Sequence, residues 1–431
     1  MHRIRLLKDR FSIRSVRHIY QRFFAIYSRY GLNASRFSKT LNEFIGLLNH
    51  FQIKATLPVT ALVFKKNYSL FKTISSKAEF AVHGLRHVDY TYLDHEVIGR
   101  HLESSSRIFN HFGIWNFGFR FPYLGRNNKL IRMISEFGFD WDSSEVIDYG
   151  ILKKNFSHSK QWNGYQRLIT HYNAKPVHST PGIPYTKEGI LEIPVALPDD
   201  DILVDHFRCS NSEIFNKWMQ MMQIARERHS HLNLQIHPER FLLYQKALSE
   251  FLGTITKHTD IWIASLNQIA EWYQERKKSQ IQIQKLSRTR YRVHFSVSPR
   301  TQILIRNLKN KSKDLSIWKS IEVAGNNIEL HSEKQPIIGV HPETSKSILS
   351  FLNDEGLPYI VSDNKESCSF YIKDRSIISE NKKMILLEKI EKIKTPLIRL
   401  WRWPRGYRCA LSLTGDIDCV SFWDFFTRFY E

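Results

Sequence analysis

Ile53-Lys-Ala-Thr-Leu-Pro-Val-Thr-Ala-Leu-Val-Phe64, followed by Ala78-Glu-Phe-Ala-Val-His-Gly-Leu-Arg-His87, decides the fold class of this chain. The first stretch reads as a mostly buried strand and its exit. The second reads as a short strand that runs into two histidines. Leu41, Phe44, Ile45, Leu48 and Phe51 precede them at helical spacing. Beyond them, residues 94–112 read as a long helix ended by Gly113, and residues 128–137 as a helix ended by Gly138. Residues 139–143, 190–197 and 231–236 read as strands, with a helix over 212–228 and a last one over 262–278. Strands alternating with helices predict parallel β/α units, an α/β protein. Ligands on such sheets bind at the carboxyl ends of the strands.

The character changes after residue 278. Residues 291–297 alternate apolar and polar side chains, as a half-exposed antiparallel strand does, and 301–308 are expected to pair with them. Residues 336–361 read as strand, helix and strand, with Gly356-Leu-Pro as the turn. Trp401-Arg-Trp-Pro-Arg-Gly406 reads as a rigid lead-in to the short buried strand Cys409-Ala-Leu-Ser-Leu-Thr414. Gly415 marks a turn, and 422–430 a short aromatic helix.

With 431 residues the chain is long enough for two or three domains. No run approaches the roughly 20 apolar residues that span a bilayer. Arg14, Arg17 and Arg22 interrupt the apolar residues near the N-terminus, so no signal-peptide core forms, and a cytoplasmic location, free or peripheral to the membrane, is expected. Cys209, Cys368, Cys409 and Cys419 show no CxxC spacing and read as structural thiols of a reduced compartment. The net charge of +21 favours an anionic partner. No zinc-finger, helix-turn-helix or RNA-binding signature points to nucleic acid. The basic, aromatic arm around Arg10-Phe-Ser-Ile-Arg-Ser-Val-Arg-His-Ile-Tyr-Gln-Arg-Phe-Phe24 suits an anionic membrane surface or an anionic glycan. It equally suits a helix packed on the domain with its basic face in water.

Five places carry chemistry-bearing residues. His83 and His87, four apart, can face one ion, although such spacing also arises by chance among 19 histidines. Two imidazoles need a third ligand, usually a carboxylate, and an open position for water. In Arg120-Phe-Pro-Tyr123 the arginine can hold a carboxylate in a bidentate pair, and the turn exposes backbone N–H groups to an oxyanion. Standing alone, it is also an ordinary aromatic–proline turn. His237 ends a buried strand just before Pro238, a position suited to a general acid or to a satisfied core-edge histidine. Asp416 and Asp418 flank Ile417 after a strand, so both carboxylates can point into one site, one as ligand and one as base, or else serve as a cap and turn pair. Asp199, Asp200 and Asp201 crowd together after Pro198 and need a cation or arginine nearby; at least two of them are expected in a solvated loop.

Taken in order, these motifs resemble those of the NodB-homology polysaccharide deacetylases, carbohydrate esterase family 4. His83 and His87 resemble the family's His-x-x-x-His pair, and Arg120, Pro122 and Tyr123 its Arg-x-Pro-Tyr turn. Leu234-Gln-Ile-His237 resembles its closing Leu-x-x-His segment, and Gln52-Ile-Lys-Ala-Thr-Leu its second strand. The resemblance covers residues 40 to 278 and implies a distorted (β/α) barrel. Two features depart from the pattern. Pro198-Asp-Asp-Asp lacks the usual tryptophan, and no Thr-Phe-Asp-Asp motif lies upstream, where only Asp9 is found. Arg408-Cys-Ala-Leu-Ser-Leu-Thr-Gly-Asp-Ile-Asp418 resembles that missing first strand and motif. A natural circular permutation would explain its place; a second, truncated deacetylase domain is the rival explanation. The expected division is a basic arm (1–39), a barrel (40–280), a mixed, β-rich accessory region (281–400), and a strand and helix completing the barrel (401–431).

The resemblance implies a hydrolase that removes an N-acetyl group from a sugar or polysaccharide. His83, His87 and Asp418 would bind a divalent metal, Zn2+ by preference. Asp416 would be the base, held by Arg120. The Tyr123 backbone N–H would help stabilise the oxyanion, and His237 would protonate the leaving amine. The other readings are a non-sugar amide hydrolase of the same fold and a non-catalytic sugar-binding member.

Overall fold

The computed structural model describes residues 26–27, 29–115, 118–152, 160–306, 319–321, 326–365, 367–376 and 379–427. Most of the expected basic arm, residues 1–25, and the end of the last helix, 428–431, lie outside the described residues.

The apolar runs form short strands that are buried almost end to end: Ala55–Val59 (β1), Ala78–Val82 (β2), Trp141–Asp142 (β3), Val146–Asp148 (β4), Ile190–Glu192 (β5), Val195–Leu197 (β6), His231–Ile236 (β7) and Cys409–Gly415 (β8). The run 190–197 is two strands, because Pro194 has no N–H to give to the ladder. Every pairing around the circuit is parallel. β1 pairs with β2 from Ala55↔Ala78 to Val59↔Val82. Phe119 bridges Val82 to Asp142, β3 pairs with β5, and β4 with β6. Ala196↔Leu234 joins β6 to β7, and β7 pairs with β8 from His231↔Ala410 to Ile236↔Gly415. Thr414↔Thr56 then returns β8 to β1. The sheet therefore closes into a barrel, distorted where Phe119 and Ala196 each carry a join alone. The strand that closes it comes from the far end of the chain.

Helices cover the outside. Ala34–His50 (α1) turns Phe37, Leu41, Phe44, Ile45 and Leu48 inward and is capped by the Asn33 side chain, which accepts from the Ser35 N–H. The helix crosses the boundary expected at 39/40, so its first residues belong to the barrel. His95–His111 (α2), Asn128–Glu136 (α3), Asn211–Arg228 (α4) and Phe241–Ile255 (α5) follow, α4 with a capping box of Ser210 and Glu213. The helix expected over 262–278 is shorter. Ile261–Ile263 is a strand on the edge of β8, and the Ser265–Gln268 capping box starts the helix at Leu266–Lys277 (α6).

The accessory region has cores of its own. Arg290–Ser296 is antiparallel to Gln280–Lys285 on one edge and Asn327–His331 on the other. With both edges filled, Thr301–Arg306 does not pair with it as expected and instead lies antiparallel to Leu397–Pro404. Gln335–Val340, Tyr359–Val361 and Cys368–Ile372 form a small parallel sheet, with Ile338, Val340, Ile348 and Leu352 in its core. Leu397–Pro404 crosses the boundary expected at 400/401 and leads into β8. It is fastened by Leu400 N–H to the Gly356 carbonyl at 2.8 Å. Gly356 has φ +69°, and a Cβ there would meet the Leu400 carbonyl oxygen at 2.3 Å, so this contact requires glycine. Arg399 and Arg402 meet Glu355 at 3.0 and 2.6 Å and neutralise its buried carboxylate.

Candidate active site

The carboxyl ends of β2, β6, β7 and β8 open into a cavity of about 970 Å³. His83 and His87 follow β2, His237 follows β7, and Asp416 and Asp418 follow β8, so one end of the barrel gathers residues from both ends of the sequence. His83 Nε2 lies 3.4 Å and His87 Nε2 3.3 Å from Asp418 Oδ1. The His83 Nδ1–H donates to the Arg120 carbonyl at 2.8 Å, which fixes the ring with Nε2 toward the carboxylate. The three ligand atoms lie within 4.8 Å of one another. Two imidazole nitrogens and one carboxylate oxygen at this spacing fit a divalent ion of the zinc type. Burial alone would raise the Asp418 carboxyl, but His87 and His83, with His237, hold it well below the usual carboxylate range.

Asp416 sits behind this trio. Arg120 Nη1 donates to its Oδ1 at 2.6 Å and Gln235 Nε2 to its Oδ2 at 2.8 Å. The guanidinium meets the carboxylate with one prong, not the bidentate fork the sequence suggested. Its other donors go to the Ser143 carbonyl and hydroxyl, both at 2.8 Å, and to Thr414 Oγ1 at 2.9 Å. Asn233 in turn donates to Ser143 Oγ at 2.9 Å. Arg120 is fully buried, so this network holds both its charge and its direction. Tyr123 and Leu124 have φ of +58° and +52°, two consecutive non-glycine residues in the left-handed region. That strained turn brings the Tyr123 ring centroid to 4.4 Å from that of His87.

The acidic run is not the solvated loop expected of it. Asp199 and Asp200 are buried, and cations explain how. His237 Nδ1 contacts Asp200 Oδ1 at 2.8 Å, Arg240 Nη1 contacts Asp201 Oδ1 at 2.7 Å, and Arg29 Nη2 lies 3.8 Å from Asp201 while pairing with Glu239. Burial lowers the His237 imidazole, but Asp201 and Asp200 carry it well above its ordinary value, so it is held protonated. Burial and its two acidic neighbours push Asp199 up to about 7. His237 and Asp418 face the same cavity.

Sequence reasoning missed Gln235, Arg240, Ser143 and Arg29. Gln235 and Arg240 could have been found beside His237, in Gln235-Ile-His-Pro-Glu-Arg240. Ser143 lies in Gly138-Phe-Asp-Trp-Asp-Ser-Ser144, a stretch that also resembles the family, but its contact with Arg120 is purely tertiary. Arg29 lies in the segment read as part of an arm; Ile26, Arg29 and Tyr30 in fact line the cavity.

A barrel of this kind, with two histidines, two aspartates and a protonated histidine at its carboxyl end, has the equipment of an amide hydrolase. Residues 29–141 match the polysaccharide deacetylase family model. That match supports a hydrolase of carbohydrate amide bonds. Among curated protein sequences none matches the chain significantly. Solved structures similar to it include a Mycobacterium smegmatis protein assigned as a polysaccharide deacetylase, 20% identical over 54% of this chain and 76% of that one, with a TM-score of 0.43. A probable polysaccharide deacetylase from Pseudomonas aeruginosa PAO1 is 18% identical over 55% of this chain and 73% of its own, with a TM-score of 0.43. PuuE allantoinase is 17% identical over 54% of this chain and 72% of its own, with a TM-score of 0.42. Likenesses this distant say nothing about the reaction.

Proposed function

We propose that the chain is a metal-dependent N-deacetylase of an acetylated sugar or polysaccharide, built as a circularly permuted deacetylase domain. The observation that carries it is the convergence of His83, His87 and Asp418, each histidine Nε2 within 3.4 Å of one Asp418 oxygen. These three would hold a divalent ion, Zn2+ by preference. When bound, such an ion polarises an acyl carbonyl and makes water more acidic.

The chain's own residues do the rest. Asp416 takes the proton of the attacking water as the base. Arg120 and Gln235 keep its carboxylate turned toward the cavity. The Tyr123 backbone N–H, on its strained turn, faces the developing oxyanion. His237, held protonated by Asp200 and Asp201, gives its proton to the departing amine. Acetate and a free amino sugar leave. The permutation is supported by the place of β8 between β1 and β7, where the sequence order of an uninterrupted barrel would put a first strand.

The test pairs binding with turnover. Asp418→Ala should weaken zinc binding by calorimetry about 100-fold or more and abolish acetate release from N-acetylglucosamine oligomers. Asp416→Asn should retain zinc and lose turnover. Asp418→Ala protein that keeps both its zinc and its activity would sink the assignment. Turnover of cyclic amides in place of the sugar oligomers would favour the non-sugar hydrolase reading.

A further inference from the structure

The acidic run beside His237 is itself built like a metal site. His237 Nδ1, Asp200 Oδ1 and Asp201 Oδ1 all lie within 4.8 Å of one another. The imidazole nitrogen is 2.8 Å from the first oxygen and 3.8 Å from the second. Ligand atoms held at about 2.0–2.1 Å around a tetrahedral ion stand about 3.3 Å apart, so the two distances straddle the spacing an ion needs. One imidazole nitrogen and two carboxylate oxygens suit a divalent ion of the zinc type. Access is open, because His237 and Asp201 line the cavity and the Asp201 side chain is 35% exposed.

Two further observations point to a cation at this place. Asp200 is fully buried, yet its Oδ2 accepts no hydrogen bond from the described residues, and Arg240 Nε stays 3.6 Å away. A buried carboxylate oxygen left in this state is costly, and an ion taken by both oxygens of Asp200 would satisfy it. The balance of charge is the other observation. Five carboxylates, those of Asp199, Asp200, Asp201, Asp205 and Glu239, gather around three cations, Arg29, Arg240 and His237. Burial and the repulsion of Asp201 and Asp200 push Asp199 up to about 7, as expected of a cluster short of positive charge. Arg240 Nη1, 2.7 Å from Asp201 Oδ1, must give way to an ion. It has a second partner in Asp205 at 2.5 Å and is not left alone by the exchange.

We propose that His237, Asp200 and Asp201 form a second divalent-metal site, filled when the ion is in excess, in which the ion replaces the Nδ1 proton of His237. That proton passes to solvent. An imidazole that holds an ion at Nδ1 is neutral and keeps only its Nε2–H, so the imidazolium proton meant for the leaving amine is gone and excess ion inhibits. The binding stands on the geometry; the inhibition rests on the deacetylase reading. The experiment is calorimetric titration of zinc into the metal-free full chain at pH 6, in two buffers of different ionisation enthalpy. The wild type should take two equivalents, the second more weakly and with release of about one proton. Asp201→Asn, shown folded by circular dichroism, should leave the first equivalent unchanged and weaken the second about tenfold or more. Acetate release from N-acetylglucosamine oligomers should rise with the first equivalent and fall with the second. A wild type that takes one equivalent only overturns the proposal. So does a second equivalent that binds without releasing a proton, or that both Asp201→Asn and Asp200→Asn leave unchanged. Failure of the deacetylase reading looks different: no acetate appears at any zinc level, while the second equivalent, its proton and its loss in Asp201→Asn still support the site.

Discussion

Arg120→Met is the most direct probe of the buried network. The guanidinium is fully buried and makes four hydrogen bonds, to the Ser143 carbonyl and hydroxyl, to Thr414 Oγ1 and to Asp416 Oδ1. Methionine fills much of its volume, so the loss is chiefly electrostatic. Asp416, only 3% exposed, would keep one donor, Gln235, and no neutralising cation of its own. Removing one partner of such a pair costs about 3–5 kcal/mol, because the other charge stays buried and uncompensated. The assay is urea unfolding at pH 7 followed by tryptophan fluorescence, comparing midpoints at constant slope. The double variant Arg120→Met/Asp416→Asn removes that charge and should recover about 2 kcal/mol of the loss. A loss below about 1 kcal/mol for Arg120→Met, or strict additivity in the double variant, would refute the reasoning.

Two further outcomes follow from the same geometry. His237 has a folded pKa raised well above 6.5, so its contribution to stability is complete below that value and is lost as pH rises through the raised one. Asp200→Asn should therefore cost most stability near pH 6 and least in alkali, and should move the alkaline limb of any pH–rate profile to lower pH; an unmoved limb would count against His237 as the acid. Truncation after residue 400 removes β8 and leaves β1 and β7 with unpaired edges, so the shortened chain should lose its cooperative unfolding transition. A shortened chain that still unfolds cooperatively would favour a separate, truncated second domain at the C-terminus.

How much was legible follows from the range of each signal. β1 and β2, α1 to α4 and the 336–361 unit were readable because their periodicity and caps are local. The helix expected at 262 began late, because Ser265 caps Leu266 and the open edge of β8 draws Ile261–Ile263 into the sheet. The pairing of Thr301–Arg306 could not be read, because it depends on which edges other strands have already filled. In the site, the histidine pair and the Asp-x-Asp motif were visible as residue types. That Asp418 lies beside both histidines is a fact of three dimensions.

The sequence by itself determined the elements and the chemistry on offer. Short apolar runs, capping residues and the spacing of His83, His87, Asp416 and Asp418 are written in neighbouring positions, where backbone preference and side-chain periodicity act directly. Only the tertiary structure decided the company those residues keep. The barrel closes through a strand from residues 409–415, because an interior strand must satisfy hydrogen bonds on both edges and β8 fits between β1 and β7. The same closure buries Asp199 and Asp200 and half-buries Asp201 beside His237, Arg240 and Arg29, because buried carboxylates persist only where cations meet them.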